Sequence, residues 1–127
     1  MSRWTTLDRV VSVEPGASAS AIRNVPNTLA IFDSHFPRFP VMPGVLILGS
    51  LGALAGVLLE EETGKPWRLA GADRVGFRHF VQPGDQMELT VKLKDRSDSE
   101  ATLSGEVSVD GKVVTRARKL RAVPVDE

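Results

Sequence analysis

Alternating apolar and polar residues mark the second half of the chain. Every second position is apolar from Met87 to Leu93. The same holds from Leu103 to Val109, apart from one glycine. This period of two predicts strands. The Asp110-Gly111 pair that follows is a strong hairpin signal, so Val113 to Val123 is predicted as the last strand. Pro83 to Asp85 predicts the turn that precedes the first of these strands.

Shorter or less regular patterns predict further strands. Apolar residues between Val10 and Val13 indicate a first strand, which a Pro15-Gly16 turn ends. Ser20 to Val25 is a weaker candidate, and Pro26 to Phe36 follows as a loop or short helix. Trp67 to Phe80 is predicted as a long strand that can bend.

A stretch of 21 residues without charge, from Phe39 to Leu59, interrupts these strands. Its length alone would suit a membrane span. Pro43 and Gly44 favour a helix that begins there and ends near Glu60, which is about 24 Å long and too short for a hydrocarbon core of about 30 Å. We therefore predict a soluble helix that is apolar on all sides and must be enclosed by other structure.

The small residues of this helix would let a neighbouring backbone approach closely, at positions Gly49, Gly52, Ala53 and Gly56. The element order is then two strands, a long buried helix, and three or four antiparallel strands. This order favours a single α+β domain over residues 1–127, in which a curved antiparallel sheet wraps one central helix.

Composition narrows the class of protein. The chain has 127 residues, and its 16 Lys and Arg balance its 16 Asp and Glu, which argues against a general nucleic-acid binder. The absence of cysteine excludes zinc-thiolate and iron–sulfur sites, and we predict no metal and no cofactor. The N-terminus shows no secretory signal, so a cytoplasmic protein without a membrane segment is expected.

His35 has the most suggestive chemical setting. It lies just before the Pro-Val-Met-Pro-Gly run that opens the helix at Gly44. A helix N-terminus offers unpaired N–H groups that can hold a carbonyl oxygen as it gains negative charge. A histidine beside such donors could remove a proton α to a carbonyl. The alternative is that His35 only caps or packs within a loop.

The segment HFPRFPVMPGVLILGSLGALAG resembles the 3-hydroxyacyl-acyl carrier protein dehydratases of the hotdog fold, which typically have HFPGxPVMPGVLIxEAxxQ in this place. A second block, DRVGFRHFVQPGDQMELTVKL, resembles the later strands of the same family. The two blocks cover roughly residues 31–94. The resemblance implies a hotdog fold that dimerises so that two sheets become continuous.

The same resemblance implies roles for individual residues. His35 would be the catalytic base, and the N–H of Gly44 would polarise the thioester carbonyl. Substrate-binding positions would include Phe36 and Pro37 of the motif. We expect Arg38 and Arg78 to be able to hold the phosphates of a phosphopantetheine arm or an acidic carrier protein. Met42 and Val45 are expected to line a buried region or acyl tunnel, and Gly49 to widen it.

The chain departs from the family pattern at the acid. The family places a carboxylate fourteen residues after the histidine and donates it across the dimer interface, but position 49 is Gly49 here. The family's glutamine is replaced by Ala53, and the glycine after HFP by Arg38. Loss of a positioned general acid typically costs about 10²–10⁴ in rate, so activity of a lone homodimer is in doubt.

Other residues offer weak substitutes for that acid. The acids Glu60 to Glu62 lie about 16 Å or more beyond Gly49 along the helix and are expected at its solvated end. Asp33 is expected to be a turn residue and Ser50 an interface or packing residue. His79 is expected at the surface or an interface. The basic stretch Arg116 to Arg121 could hold a carrier protein but is more simply a solvated strand face.

Three functions remain open. The first is a dehydratase subunit for 3-hydroxyacyl thioesters on acyl carrier protein, in fatty-acid or polyketide biosynthesis, with a partner subunit that supplies the acid. The second is a homodimeric hotdog enzyme with changed chemistry, such as an acyl-thioesterase, and its substrate could be a CoA thioester. The third is a non-catalytic homologue that binds acyl chains or carrier protein.

Overall fold

The computed structural model describes residues 7–25 and 44–125. Two strands, β1 (Arg9–Glu14) and β2 (Ser18–Asn24), precede the helix α1 (Gly44–Thr63). Four strands follow it: β3 (Trp67–Phe77), β4 (Gln86–Arg96), β5 (Ala101–Val109) and β6 (Lys112–Pro124). The predicted loop or short helix at Pro26 to Phe36 lies outside the described residues.

The six strands form one antiparallel sheet in the order β1-β2-β4-β5-β6-β3. Strands β1 and β3 are its two edges. The β5–β6 hairpin turns at Asp110 and Gly111, which both have the positive φ that a tight two-residue hairpin requires, at 53° and 80°. The hairpin predicted at this pair is therefore confirmed.

The sheet curls around α1, and its inner face forms the core with one side of the helix. The leucines Leu51, Leu54 and Leu58 of α1 have no exposed surface. The helix comes so close to β5 that a Cβ at Gly105 would lie 3.2 Å from the side chain of Leu51. At Gly56 a Cβ would lie 3.2 Å from the carbonyl oxygen of Trp67, which confirms close backbone approach at this small residue.

The helix ends at Thr63, three residues beyond the predicted end near Glu60. Gly64 has φ +79° and its N–H donates to the carbonyl of Glu60 at 2.8 Å, as a glycine that terminates a helix does. The hydroxyl of Thr63 accepts a hydrogen bond from the indole N–H of Trp67 at 2.9 Å and so ties the helix end to β3. The acidic residues Glu60 to Glu62 lie in the last turn of the helix, and Glu60 and Glu61 are exposed, as expected of a solvated helix end.

The outer side of α1 differs from the expectation that the whole helix is enclosed. By length and hydropathy α1 could span a membrane, and 44% of its apolar window is buried inside this chain. The remaining side lies in an open seam between the two sheet edges, where Val45 is 73% exposed. Residues 7–25 and 44–125 of a single copy therefore cover only one side of the apolar helix.

Candidate active site

Four of the residues assigned to the site from the sequence lie within the described part of the chain: Gly44, Val45, Gly49 and Arg78. The other five lie outside it: His35, Phe36, Pro37, Arg38 and Met42. The described part of the site therefore consists of the start and outer side of α1 and the strands beside them.

Gly44 is the first residue of α1. Its N–H is one of the four at a helix start that have no partner within the helix. The ring of Phe77, at the end of β3, packs directly on this residue, because a Cβ built on Gly44 would lie 2.8 Å from its Cζ. The contact explains why glycine is required here in the present packing. The donor proposed for the thioester oxygen thus lies under an aromatic ring that is itself 51% exposed.

Gly49 lies about one and a half turns further along α1 and, unlike Gly44, has open space beside it. Apart from the backbone of α1 itself, a Cβ at Gly49 would have no atom of the described residues within 4 Å. The residue lines an open, mainly apolar groove of about 760 Å³ between α1 and the two sheet edges. Its other apolar lining includes Leu7, Val10 and Leu69. The space that a larger side chain would occupy has not been filled by collapse of its neighbours.

Three carboxylates line this groove. Glu60 and Glu61 line it at the far end of the helix, and Asp8 lines it from the segment before β1. Glu60 is about 16 Å from Gly49 along the helix axis, too far to take the place of a side chain at that position. Within the described part of α1, its first acidic residue is Glu60.

Ser50 turns inward, as expected of a packing residue, and it is completely buried. Its hydroxyl donates to the carbonyl of Leu46 at 3.3 Å and accepts from the guanidinium of Arg23 at 3.0 Å. Arg23 is 8% exposed and lies on the inner face of β2. Burial lowers the pKa of Arg23, and the nearby charge of Asp8 opposes this shift. The guanidinium remains charged at ordinary pH.

The pairing of Arg23 with Ser50 is not predicted from the sequence. In Ser18–Asn24 the inward positions are Ala19, Ala21 and Arg23, so no run of large apolar residues marks the inner face. A signal was present nonetheless, since Ser50 is a polar residue in an otherwise apolar helix and needs a buried partner.

The remaining predicted residues lie at the surface of this chain. Arg78 is exposed, and its backbone N–H donates to the carbonyl of Val114 at 2.8 Å just beyond β3. His79 is exposed as well. Val45 and Phe80 are 73% and 66% exposed, so the described part of the chain does not enclose the region beside the helix start. The arrangement offers the N–H of Gly44 at the start of α1 and an apolar groove further along at Gly49. The described part of α1 has no carboxylate near Gly49.

Comparison with known proteins agrees with this architecture. The FabA-like domain model matches residues 2–118. The chain is 40% identical over 114 residues to a 3-hydroxyacyl-[acyl-carrier-protein] dehydratase FabZ of Oceanobacillus iheyensis, covering 87% of this chain and 81% of that protein. It is 43% identical over 110 residues to the FabZ of Streptococcus mutans, covering 84% and 78%.

Solved structures share the fold at low sequence identity. A dehydratase heterocomplex, ApeI:P from Xenorhabdus doucetiae, superposes with a TM-score of 0.81 at 15% identity, over 100% of this chain and 87% of that one. A protein of Streptococcus mutans solved with acetyl CoA, smu.793, gives 0.73 at 12% identity, over 94% and 89%. The chain therefore belongs to the FabA-like family, among the hotdog-fold 3-hydroxyacyl-acyl carrier protein dehydratases.

Proposed function

We propose that this chain is a dehydratase subunit that acts on 3-hydroxyacyl thioesters of acyl carrier protein in fatty-acid biosynthesis, and that a second subunit supplies its acid. Relatives named as such dehydratases, at about 40% identity over most of their length, support the reaction class. The observation that carries the partner requirement is Gly49, which leaves the acid position of α1 empty and unfilled.

The reaction removes water from the substrate. In our proposal His35 takes the proton from Cα, and the electron pair forms the Cα–Cβ double bond while the hydroxyl leaves Cβ. The N–H of Gly44 stabilises negative charge on the thioester oxygen as the proton leaves. The departing hydroxyl needs a proton to leave as water, and a positioned acid typically supplies about 10²–10⁴ in rate.

The partner of this chain is a dehydratase-like subunit that carries the carboxylate at the position of Gly49. In the family's crossed arrangement, the acid of one subunit serves the histidine of the other. One heterodimer then has one complete site, made of His35 and Gly44 with the partner's acid. The apolar outer side of α1 and the edge strand β3 are both uncovered by the described residues of one chain, which supports dimerisation through these surfaces.

The setting and the substrate details belong to the same proposal. We place the subunit in the cytoplasm, without a cofactor or metal, and with acyl carrier protein as the source of the thioester. Polyketide assembly would use the same chemistry. Arg38 and Arg78 are assigned to the phosphopantetheine arm, and Phe36, Pro37, Met42 and Val45 to the acyl chain.

Thioester hydrolysis is the second candidate, and the open space at Gly49 favours it. Hydrolysis needs an oxyanion donor and an activated water, and it needs no acid for a β-hydroxyl. The empty space beside Gly49 would admit water. A homodimeric acyl-thioesterase would therefore keep His35 and Gly44 and use the gap for the nucleophile.

A complementation assay tests the proposal. The chain is mixed with a family dehydratase that keeps its acid but has its own catalytic histidine replaced by alanine, and enoyl thioester is measured from a 3-hydroxyacyl-carrier protein substrate. The only complete site is then His35 with the partner's acid. We expect activity in the mixture, none from either protein alone, and a loss of about 10²-fold or more with His35→Ala.

The other outcomes each exclude the proposal. Enoyl product from the lone chain at the rate of the mixture would show that no partner acid is needed. Free acid in place of enoyl product would identify a thioesterase. No turnover in a mixture whose heterodimer is confirmed by native mass spectrometry would leave a non-catalytic homologue as the conclusion.

A further inference from the structure

The face of the sheet that points away from α1 carries a second groove, of about 1000 Å³ and open to solvent. We call it the outer groove. Three acidic residues line it: Asp73, Asp95 and Glu106. Six cationic residues line it as well: Arg74, Lys92, Lys94, Arg116, Arg118 and Lys119. The whole chain has no net charge, so this local excess of positive charge is a feature of one surface.

A β-bulge in β6 concentrates this charge. Leu103 pairs with Leu120 and Gly105 pairs with Ala117, so the single residue Ser104 faces two consecutive residues of β6. Those two are Arg118 and Lys119, and both are exposed. In a regular strand one of them would point into the core, whereas the bulge presents both in the groove.

The bulge lies in a row of polar residues that crosses four strands, and three of these strands contribute a cation. Lys92 of β4 pairs with Ser104 of β5, which faces the bulge in β6. The register of β3 against β6 then sets Arg74 opposite Arg118. Neighbouring strands are about 4.8 Å apart, so the row is about 14 Å long.

Lys119 of the bulge pairs with the acidic Asp73 of β3, whereas Arg118 and Arg74 are like charges that face each other. Like charges opposite each other on adjacent strands are destabilising, and Arg74 also has φ 55°, in the left-handed region that arginine rarely adopts. Arg116 forms an ion pair with Glu106 at 3.2 Å. Within residues 7–25 and 44–125, no ion pair within 4.0 Å joins an acid to Lys92, Arg118 or Lys119.

We propose that the outer groove is a docking surface for an acidic α-helix of a partner protein. A helix laid across the strands rises about 5.4 Å per turn, so carboxylates on one face recur at nearly the strand spacing. Three turns cover about 16 Å, which matches the length of this row of polar residues. Such a partner would complement Lys92, Arg118 and Lys119 and relieve the repulsion between Arg118 and Arg74.

This surface is separate from the candidate active site. Its strand residues alternate with the buried residues that face α1, so the outer groove lies on the opposite face of the sheet from Gly44 and Gly49. A protein bound there holds its position by charge and leaves the groove beside α1 free. The proposal therefore does not depend on the dehydratase chemistry.

Fluorescence anisotropy with designed peptides tests the proposal on the full chain. The probe is a labelled 18-residue helical peptide with its glutamates along one face, and the control peptide has the same composition with glutamates spread around the helix. We expect the one-faced peptide to bind about tenfold tighter than the control peptide and to weaken as salt rises. Arg118→Glu/Lys119→Glu should weaken binding by about tenfold or more, and Lys92→Glu by a smaller factor.

A matched charge reversal outside the outer groove, Arg9→Glu/Lys112→Glu, should leave binding within about twofold of the unchanged chain. Circular dichroism and Tm establish that each variant is folded, and Lys92→Glu alone decides the question if the bulge variant does not fold. Equal binding of the two peptides, no binding, or an equal loss in the matched variant would overturn the proposal. Tighter binding of an oligothymidylate of the same charge would overturn it in favour of a nucleic-acid site.

Discussion

The two sides of α1 have opposite surroundings. The inner side is closed by the sheet. Leu51 has no exposed surface there, and the hydroxyl of Ser50 accepts a hydrogen bond from the buried guanidinium of Arg23. The outer side is open, with Val45 largely exposed and Gly49 facing empty space. The inner side thus completes its packing within one chain, whereas the outer side offers an apolar surface and a vacant position to another subunit.

The largest expected effect is a difference in unfolding free energy between substitutions on the two sides of α1. Leu51→Ala should lower the free energy of unfolding by about 2–5 kcal/mol, because it removes a fully buried side chain that packs against Gly105. Val45→Ala on the outer side should change it by less than about 0.5 kcal/mol in the isolated chain. Urea unfolding followed by circular dichroism measures both, and equal losses would contradict the comparison.

The next largest effect on the free energy of unfolding is expected at the hydrogen bond between Arg23 and Ser50 on the inner side. Ser50→Ala should cost about 1–3 kcal/mol of unfolding free energy, since it removes the acceptor from a buried charge. The double variant Arg23→Met/Ser50→Ala removes the charge with its partner and should be markedly more stable than Ser50→Ala. Chemical denaturation of the two variants tests this, and a double variant less stable than the single one would show that Arg23 has another essential partner.

The start of the helix couples two residues. Gly44→Ala should cost about 1 kcal/mol, because its Cβ would meet the ring of Phe77, whose exposed end can move aside. In a Phe77→Ala background the same change should cost much less. A double-mutant cycle from thermal or urea unfolding measures this coupling, and additive effects would show that the ring does not restrain Gly44.

The smallest effect has the opposite sign. Gly49→Ala should raise the free energy of unfolding by about 0.5–1 kcal/mol, because alanine favours a helix interior and its Cβ meets no atom within 4 Å. The same substitution at Gly56 should destabilise, since a Cβ there would lie 3.2 Å from a backbone carbonyl. A loss of stability at position 49 in the isolated chain would mean that the outer side is already packed.

Much of this architecture could be predicted from the pattern of the chain. The period of two from Met87 to Leu93 predicts β4. The Asp110-Gly111 pair predicts the β5–β6 turn, and the uncharged stretch predicts α1. Alternation is a local property, and these elements satisfy it because each places one apolar face on the core.

Features that depend on contacts between distant elements were not predicted. The pairing of Arg23 with Ser50 joins β2 to α1, and nothing in either segment alone names the other. The bulge at Arg118 and Lys119 does leave a trace, because the apolar positions change parity between Ala117 and Leu120. Only the register with β5 shows that this change turns two cations outward.

The central claim is that the chain has lost only the acid of a dehydratase site. It is tested most directly by restoring a carboxylate at Gly49, where the structure leaves room for it. Enoyl thioester formation from a 3-hydroxyacyl-carrier protein substrate is measured for the unchanged chain, Gly49→Glu and the uncharged control Gly49→Gln. We predict a gain of about 10²–10⁴ in rate for Gly49→Glu alone. A folded, dimeric Gly49→Glu variant that is no faster than Gly49→Gln would contradict the account.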